Sequence, residues 1–381
     1  MPEKMFTVPD IYPDFKCKIS SCRQTCCYGW EITFGMEEYF RLIGMNCPRD
    51  LRKRLDGSVY VLDHPTRERY AVLAKRYDGE CPMHDPDGYC ALQRHCGEDS
   101  LTSVCRFYPR SPRTRHANEC SVVASCEGVC ELLFAKKEPI SFIKLPLDFR
   151  EVFTPSPDDD IKTRFYVPVR QKLISVLQDR RAPLSERLSF AVKIAEELDV
   201  AFEKGTDDTI RKALSSTDGA SPSTEKKHAE LSALKIAARL LSGFDFRHSI
   251  YPFAQKAAEN LVFDTDRFAG NYEKASSDFE KAFPEWERMF ENVLVNHFFY
   301  EGLPFSDDGC SLSDNMKAMC AVYGLWRVAA VGYTLTSPDI NSLVDVTAAF
   351  FRLAENSPLP DNLAKAMKAK SELSSCDFSS I

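Results

Sequence analysis

The 381-residue chain is 44% hydrophobic and 28% charged, with a formal net charge of −7, an ordinary globular composition with ample material for a core. That balance gives no reason to expect nucleic acid as a partner, and no run reaches the roughly 18 to 20 apolar residues of a membrane span. The opening MPEKMFTVPDIYPDF has acids and prolines where a signal peptide needs an apolar stretch, so a cytoplasmic protein is expected.

Of fifteen cysteines, twelve lie between 17 and 130, at positions 17, 22, 26, 27, 47, 81, 90, 96, 105, 120, 126 and 130. Such thiols are crosslinked, hold a metal, or react. A disulfide scaffold is normally short and secreted, and an odd total leaves one thiol over. In a reducing compartment the clustering favours metal ligation.

In chain order, EITFGMEEYFRLIGM predicts an amphipathic helix with Ile32, Met36, Tyr39, Phe40 and Ile43 inward. SVYVLDHPTRERYAVLA predicts two short strands about a turn, and CPMHDPDGYC a tight Asp-Gly knuckle. DSLTSVCRFY predicts a short helix capped by Asp99 or Ser100. Cysteine density then falls, and a boundary is placed near 135: a cysteine-rich metal domain over 1–135, a helical domain over 136–381. TPSPDDDI, 154–161, reads as a linker, and 203–225 includes a polar loop.

The remainder reads as helices over 166–178, 184–203, 224–242, 338–354 and 360–374. DFEKAFPEWERMFENVLVNHFF reads as one helical face carrying Phe279, Phe283, Trp286, Phe290, Val293 and His297. Met316, Met319, Tyr323, Trp326 and Ala330 make another. These aromatics and methionines are core, and His297 is expected to be a satisfied core histidine. The fold class is mainly α: an irregular cysteine-rich part with a short β-hairpin, then an all-α part.

A tetrahedral zinc site or a [4Fe–4S] cluster needs four soft ligands converging from segments able to bend together. The chain offers C-x4-C-x3-C-C at 17, 22, 26 and 27, C-x8-C at 81 and 90, Cys105, and C-x5-C-x3-C at 120, 126 and 130. Adjacent Cys26 and Cys27 point in different directions, so one of them is expected to serve a second site or the core. Spacing does not choose between zinc and iron–sulfur: the paired C-x2-C of zinc ribbons and the C-x3-C-x2-C of radical enzymes are both absent. His64, His84 and His95 are candidate nitrogen ligands, His84 best placed beside Cys81.

YPDFKCKISSCRQTCCYGWEI, ECPMHDPDGYCALQ, LTSVCRFYPR and VVASCEGVCELLF together resemble the flagellin lysine-N-methylase family. The motif-rich likeness covers about 11–135, and ENVLVNHFFYEGLPF is the most family-like phrase beyond it. The resemblance singles out Cys17, Cys22, Cys26, Cys27, Cys81, Cys90, Cys105 and Cys126 as ligands, with Glu127 standing where the family commonly has proline. Cys47, Cys96, Cys120 and Cys130 look particular to this chain. It implies an iron–sulfur cluster, with zinc the alternative, and methyl transfer from S-adenosylmethionine to lysines of flagellin or another surface protein before export.

The glycine-rich turn on which ordinary methyltransferases hold that donor is missing. What the resemblance then implies is coordination of the donor at an open iron, with three cysteines on the cluster. Arg110 and Tyr108 of the family-like Tyr-Pro-Arg are candidates to hold the donor. Arg110 would clamp its carboxylate or offset cluster charge. Trp30 is a candidate to stack on adenine or to lid the metal. Arg113 and Arg115 read as a solvated basic loop. The competing reading is a non-catalytic zinc or iron module, or a metal carrier, whose helical part grips a partner.

Overall fold

The computed structural model describes residues 4–114, 116–149, 161–215, 226–246, 248–263, 266–305, 309–370 and 372–381. Arg115, residues 154–160 and residues 216–225 lie outside them. In chain order the elements are β1 (Lys4–Pro9), β2 (Ile32–Phe34), α1 (Met36–Ile43), α2 (Arg49–Asp56), β3 (Val59–Val61), β4 (Ala71–Leu73), α3 (Ala91–Cys96), α4 (Ser103–Phe107), β5 (Arg110–Arg113), β6 (Glu119–Val122), α5 (Glu127–Ala135) and β7 (Phe142–Leu147). Helices follow: α6 (Ile161–Leu177), α7 (Leu184–Lys204), α8 (Asp207–Ser215), α9 (Lys226–Ser242), α10 (Tyr251–Leu261), α11 (Phe268–Ala282), α12 (Trp286–Tyr300), α13 (Leu312–Thr334), α14 (Ile340–Glu355) and α15 (Leu359–Lys368).

The mainly helical class is observed, with the cysteines on short, irregular β-containing structure ahead of the helical body. Two apolar cores form. The smaller holds residues between 32 and 101, packed around the three-stranded sheet β2-β4-β3. The predicted hairpin is there, Val59 facing Leu73 and Val61 facing Ala71. The predicted helix over 31–45 is corrected: Gly35 ends a strand whose Ile32 and Phe34 pair with β4, and α1 starts only at Met36. On α1 it is Leu42 that is buried, while Phe40 and Ile43 are exposed.

The larger core holds the helices and a second sheet, order β5-β6-β1-β7. In this sheet β1 runs parallel to β6 and antiparallel to β7. Residues on both sides of position 135 thus share one core. Helix α13 is buried on every side, opened by a Ser311–Asp314 capping box. Its Trp326 stacks on Phe290 of α12 at 3.7 Å between ring centroids. Gly332 lets α10 come close, since a β-carbon there would lie 2.6 Å from the Ala257 methyl. The single helix expected across 278–299 is two: Pro284 cannot donate a backbone hydrogen bond, and the chain breaks between α11 and α12.

Candidate metal centre and adjoining cavity

All fifteen cysteines are unbridged, which removes the crosslinked option. The eight singled-out cysteines fall into neighbourhoods. Cys81 belongs to the smaller core, and Cys27, Cys90 and Cys105 pack against it. Local folding places each one. The Asp-Gly knuckle forms as expected, with Gly88 at φ +83° and its amide donating to the Asp85 carbonyl. His84 and Cys90 then pair as a bridge that returns Cys90 towards Cys81. Cys90 caps α3, and Cys105 rides on α4. The cap of α4 is Thr102, whose hydroxyl accepts from the Cys105 amide, rather than Asp99 or Ser100.

Burial pushes the Cys90 thiol up to about 11 and Cys105 up to about 12, and raises Cys81. Cys27 is raised by a hydrogen bond with the Cys26 thiol and by burial. So Cys26 and Cys27 bring their sulfurs together, contrary to the divergence expected of adjacent residues. Backbone N–H groups of Met83, Leu92 and Gln93 point at Cys81 and Cys90 and oppose the upward shift.

Among the described residues no three His, Cys, Asp or Glu side chains converge as a closed metal site. The donor chemistry suits a thiophilic metal: four neighbouring thiols on short elements. Metal binding would complete the convergence and displace their protons. His84 stays beside this group, its Nδ1 3.7 Å from Glu80, whereas His64 and His95 are exposed.

Cys17, Cys22 and Cys126 lie elsewhere. Cys126 caps α5 and packs on the larger core, and Cys17 and Cys22 approach it from the exposed loop ahead of Cys26. Of the chain-specific cysteines, Cys47 neighbours Cys96. Cys130 donates to the Ala124 carbonyl, and buried Cys120 sits beside Tyr12 and Arg110.

A cavity of about 480 Å³ lies between the Gly29–Glu31 turn, the 72–79 segment and the helical body, within the roughly 300–1,000 Å³ usual for small-molecule sites. Trp30, Lys75, Phe246, His248, Arg352 and Asn356 are among its walls. Trp30 donates to the Cys26 carbonyl at 2.7 Å, and Lys75 reaches the Cys27 carbonyl at 3.5 Å. Arg352 is 2% exposed. Its Nη atoms donate to the carbonyls of Tyr28, Gln24 and Ser125, and its Nε has no partner among the described residues. Sequence reasoning missed this arginine.

The other candidates divide. Trp30 is at the cavity and packs on Tyr108 at 5.6 Å, whose hydroxyl meets Ser125. Arg110 is not at the cavity: it lies over the rings of Tyr12 and Phe15. Arg113, expected in a solvated loop, instead pairs with buried Glu119 and the carbonyls ending α12. His297 is buried but not satisfied: its Nδ1 lacks a hydrogen bond among the described residues.

A helical body joined to a thiol-rich lobe, with a cavity of mixed apolar and polar lining at the seam, defines a candidate ligand-binding protein. The chain belongs to the family described as FliB lysine N-methylase C-terminal domain, which matches residues 170–380. The matched stretch is most of the helical body and includes the family-like phrase ENVLVNHFFYEGLPF, whereas the cysteine motifs noticed in the sequence lie ahead of it. The lysine-N-methylase of Salmonella typhimurium (strain LT2) is 23% identical over 178 residues, 46% of this chain and 42% of its own length. That of Salmonella choleraesuis (strain SC-B67) gives the same figures. The flagellar biosynthetic protein FliU of Salmonella muenchen is 25% identical over 114 residues, 30% of this chain and 67% of its own. The chain thus spans less than half the length of the lysine-N-methylases it matches. No solved structure matches it. Among the described residues no helix is long and apolar enough to cross a membrane.

Proposed function

We propose that this protein transfers methyl groups from S-adenosylmethionine to lysine side chains of a flagellin-type protein in the cytoplasm, before export. The observation that carries the reading is the seam cavity, walled by a buried arginine and bordered by the loop that supplies Cys26 and Cys27. The names of the relatives support the reaction class. A guanidinium with an unpartnered buried Nε suits a carboxylate such as the donor's amino-acid end. Trp30 supplies a ring for the adenine, and it holds the Cys26 turn through its indole N–H.

Three of Cys27, Cys81, Cys90 and Cys105 would hold an iron–sulfur cluster, whose iron without a cysteine ligand would supply a Lewis-acidic, donor-binding centre beside the cavity. The chain's own part is positional. Arg352 fixes the donor and braces the cysteine turn. Trp30 and Phe246 shield the reacting atoms from water. The lysine must arrive as a neutral amine. Its nitrogen lone pair forms the new N–C bond while the S–CH3 pair leaves with sulfur, giving S-adenosylhomocysteine, and the surplus proton passes from nitrogen to water.

The test is anaerobic purification with iron, sulfide and zinc analysis and absorption spectra before and after the donor is added, followed by mass spectrometry of flagellin treated with deuteromethyl donor. Brown protein, a donor-induced spectral change and labelled lysines are expected. Colourless zinc protein that leaves flagellin unlabelled would replace the reading with a structural metal module.

A further inference from the structure

Methyl transfer to a lysine needs a proton acceptor, since only roughly one lysine in 2,500 is a neutral amine at pH 7. The wall of the seam cavity includes the imidazole of His248. Local structure places it there. Between α9 and α10 the His248 amide donates to the Asp245 carbonyl at 2.9 Å, and the Tyr251 amide to the His248 carbonyl at 3.0 Å. The next residue, Ser249, is buried, and its hydroxyl donates to the Ala349 carbonyl of α14 at 2.8 Å. Gly29, at φ +81°, packs on the same serine, where a β-carbon would lie 3.3 Å from the Ser249 Cβ. The turn carrying His248 is thus held against both the cysteine-bearing loop and the helix that carries Arg352.

A carboxylate orients the ring. Nδ1 lies 3.1 Å from Asp245 Oδ1, and the Phe244 ring packs on the imidazole at 5.3 Å between centroids. The Asp245 amide also approaches Nδ1, at a longer 3.4 Å. The nearer carboxylate holds the proton on Nδ1, which leaves the lone pair on Nε2. Both side chains are partly exposed, so a proton taken at Nε2 has a route to water. The other charged groups of the wall favour a neutral lysine. Lys75, Arg76 and Arg352 are cations, against the exposed carboxylates of Glu31 and Asp78, and excess positive charge disfavours an ammonium.

We infer that His248 is the general base of the methyl transfer, with Asp245 its positioning residue; this rests on the methyl-transfer reading of the cavity. Nε2 takes one proton from the lysine ammonium. The freed nitrogen lone pair forms the N–C bond while the S–CH3 pair leaves with sulfur. The proton then passes from Nε2 to water, so the products are a methylated ammonium, S-adenosylhomocysteine and one proton.

The experiment follows single-turnover transfer of deuteromethyl to flagellin by mass spectrometry, from pH 7 to 9.5, in anaerobically purified wild type, His248→Gln and Asp245→Asn. Donor binding by equilibrium dialysis and circular-dichroism melts accompany each. His248→Gln should bind donor and melt as wild type does, yet transfer about a hundredfold or more slowly at pH 7. The gap should close by about tenfold or more towards pH 9.5, as solvent deprotonates more of the lysine. Asp245→Asn should show a smaller loss of the same form. Transfer by His248→Gln as fast as wild type overturns the base and leaves the methyl-transfer reading standing. So does a loss equal at every pH, or one matched by lost donor binding, because either marks a role in packing or binding. If His248→Gln does not fold, Asp245→Asn decides by the same pH comparison. Wild type that binds no donor and labels no lysine overturns the methyl-transfer reading, and the base with it.

Discussion

The Cys81 amide donates to the Cys27 carbonyl at 2.7 Å, so one backbone bond joins the CC pair to the start of the Asp-Gly knuckle. That bond sets two distant segments side by side. Cys81→Ala and Cys105→Ala should each lose the small-lobe metal and melt at lower temperature. Cys310→Ala, Cys320→Ala and Cys376→Ala should keep it, because these three lie in the helical body. Metal content per chain decides. Full retention in Cys81→Ala and Cys105→Ala would sink the assignment.

Arg352 holds three carbonyls from two cysteine-bearing segments and keeps one buried N–H unused. Arg352→Met keeps the length and removes the charge, so donor affinity should fall at least about tenfold by calorimetry. Unfolding should become easier by about 2–4 kcal/mol in urea, as buried carbonyls lose charged donors. Arg352→Lys should not restore binding, since a point charge cannot reproduce the planar fork. Unchanged donor affinity in Arg352→Met would remove the cavity from the donor's path.

The long helices were legible because Met316, Met319, Tyr323 and Trp326 recur at helical steps, and burial of one face demands that spacing. The Asp-Gly knuckle was legible because only a glycine sits easily at the φ of Gly88. The four-stranded sheet was not. Pro112 and two arginines in β5 disguise a strand, and β1 with β6 form by pairing across more than 100 residues. Arg352 was illegible for a different reason. On its helix it reads as a basic residue in the last turn, and only the tertiary placement of the cysteine loop against α14 makes it a buried cation at a cavity.

Glu119, 1% exposed, receives Arg170, Arg113 and the Tyr166 hydroxyl. Arg170 and Arg113 hold its carboxyl below the ordinary value despite burial. A lowered folded value means stability that is present above the unfolded pKa of ~4.3 and is lost as pH falls through the folded one. Glu119→Gln should cost about 3–5 kcal/mol at neutral pH by leaving two cations short of a partner. It should also flatten the acid limb of the stability curve. Urea titrations at pH 7 and pH 4 check both, and an acid limb as steep as wild type would refute it.

Glu301 runs the opposite way. Burial lifts its carboxyl to about 7, aided by Glu355 and Asp361, while His297 at 4.0 Å and Arg113 pull it down. Folded, the group prefers its proton, so its contribution is fully favourable below the unfolded value of about 4.3 and is lost as pH rises through about 7. Glu301→Gln mimics the protonated form. It should match wild type near pH 4 and exceed it at pH 8 by up to ~3 kcal/mol, the size of the shift expressed as free energy. Paired urea titrations across pH 4–8 read the difference directly, because every other titrating group is common to both proteins. A difference that does not grow with pH would mean that Glu301 stays charged in the fold, with His297 as its partner.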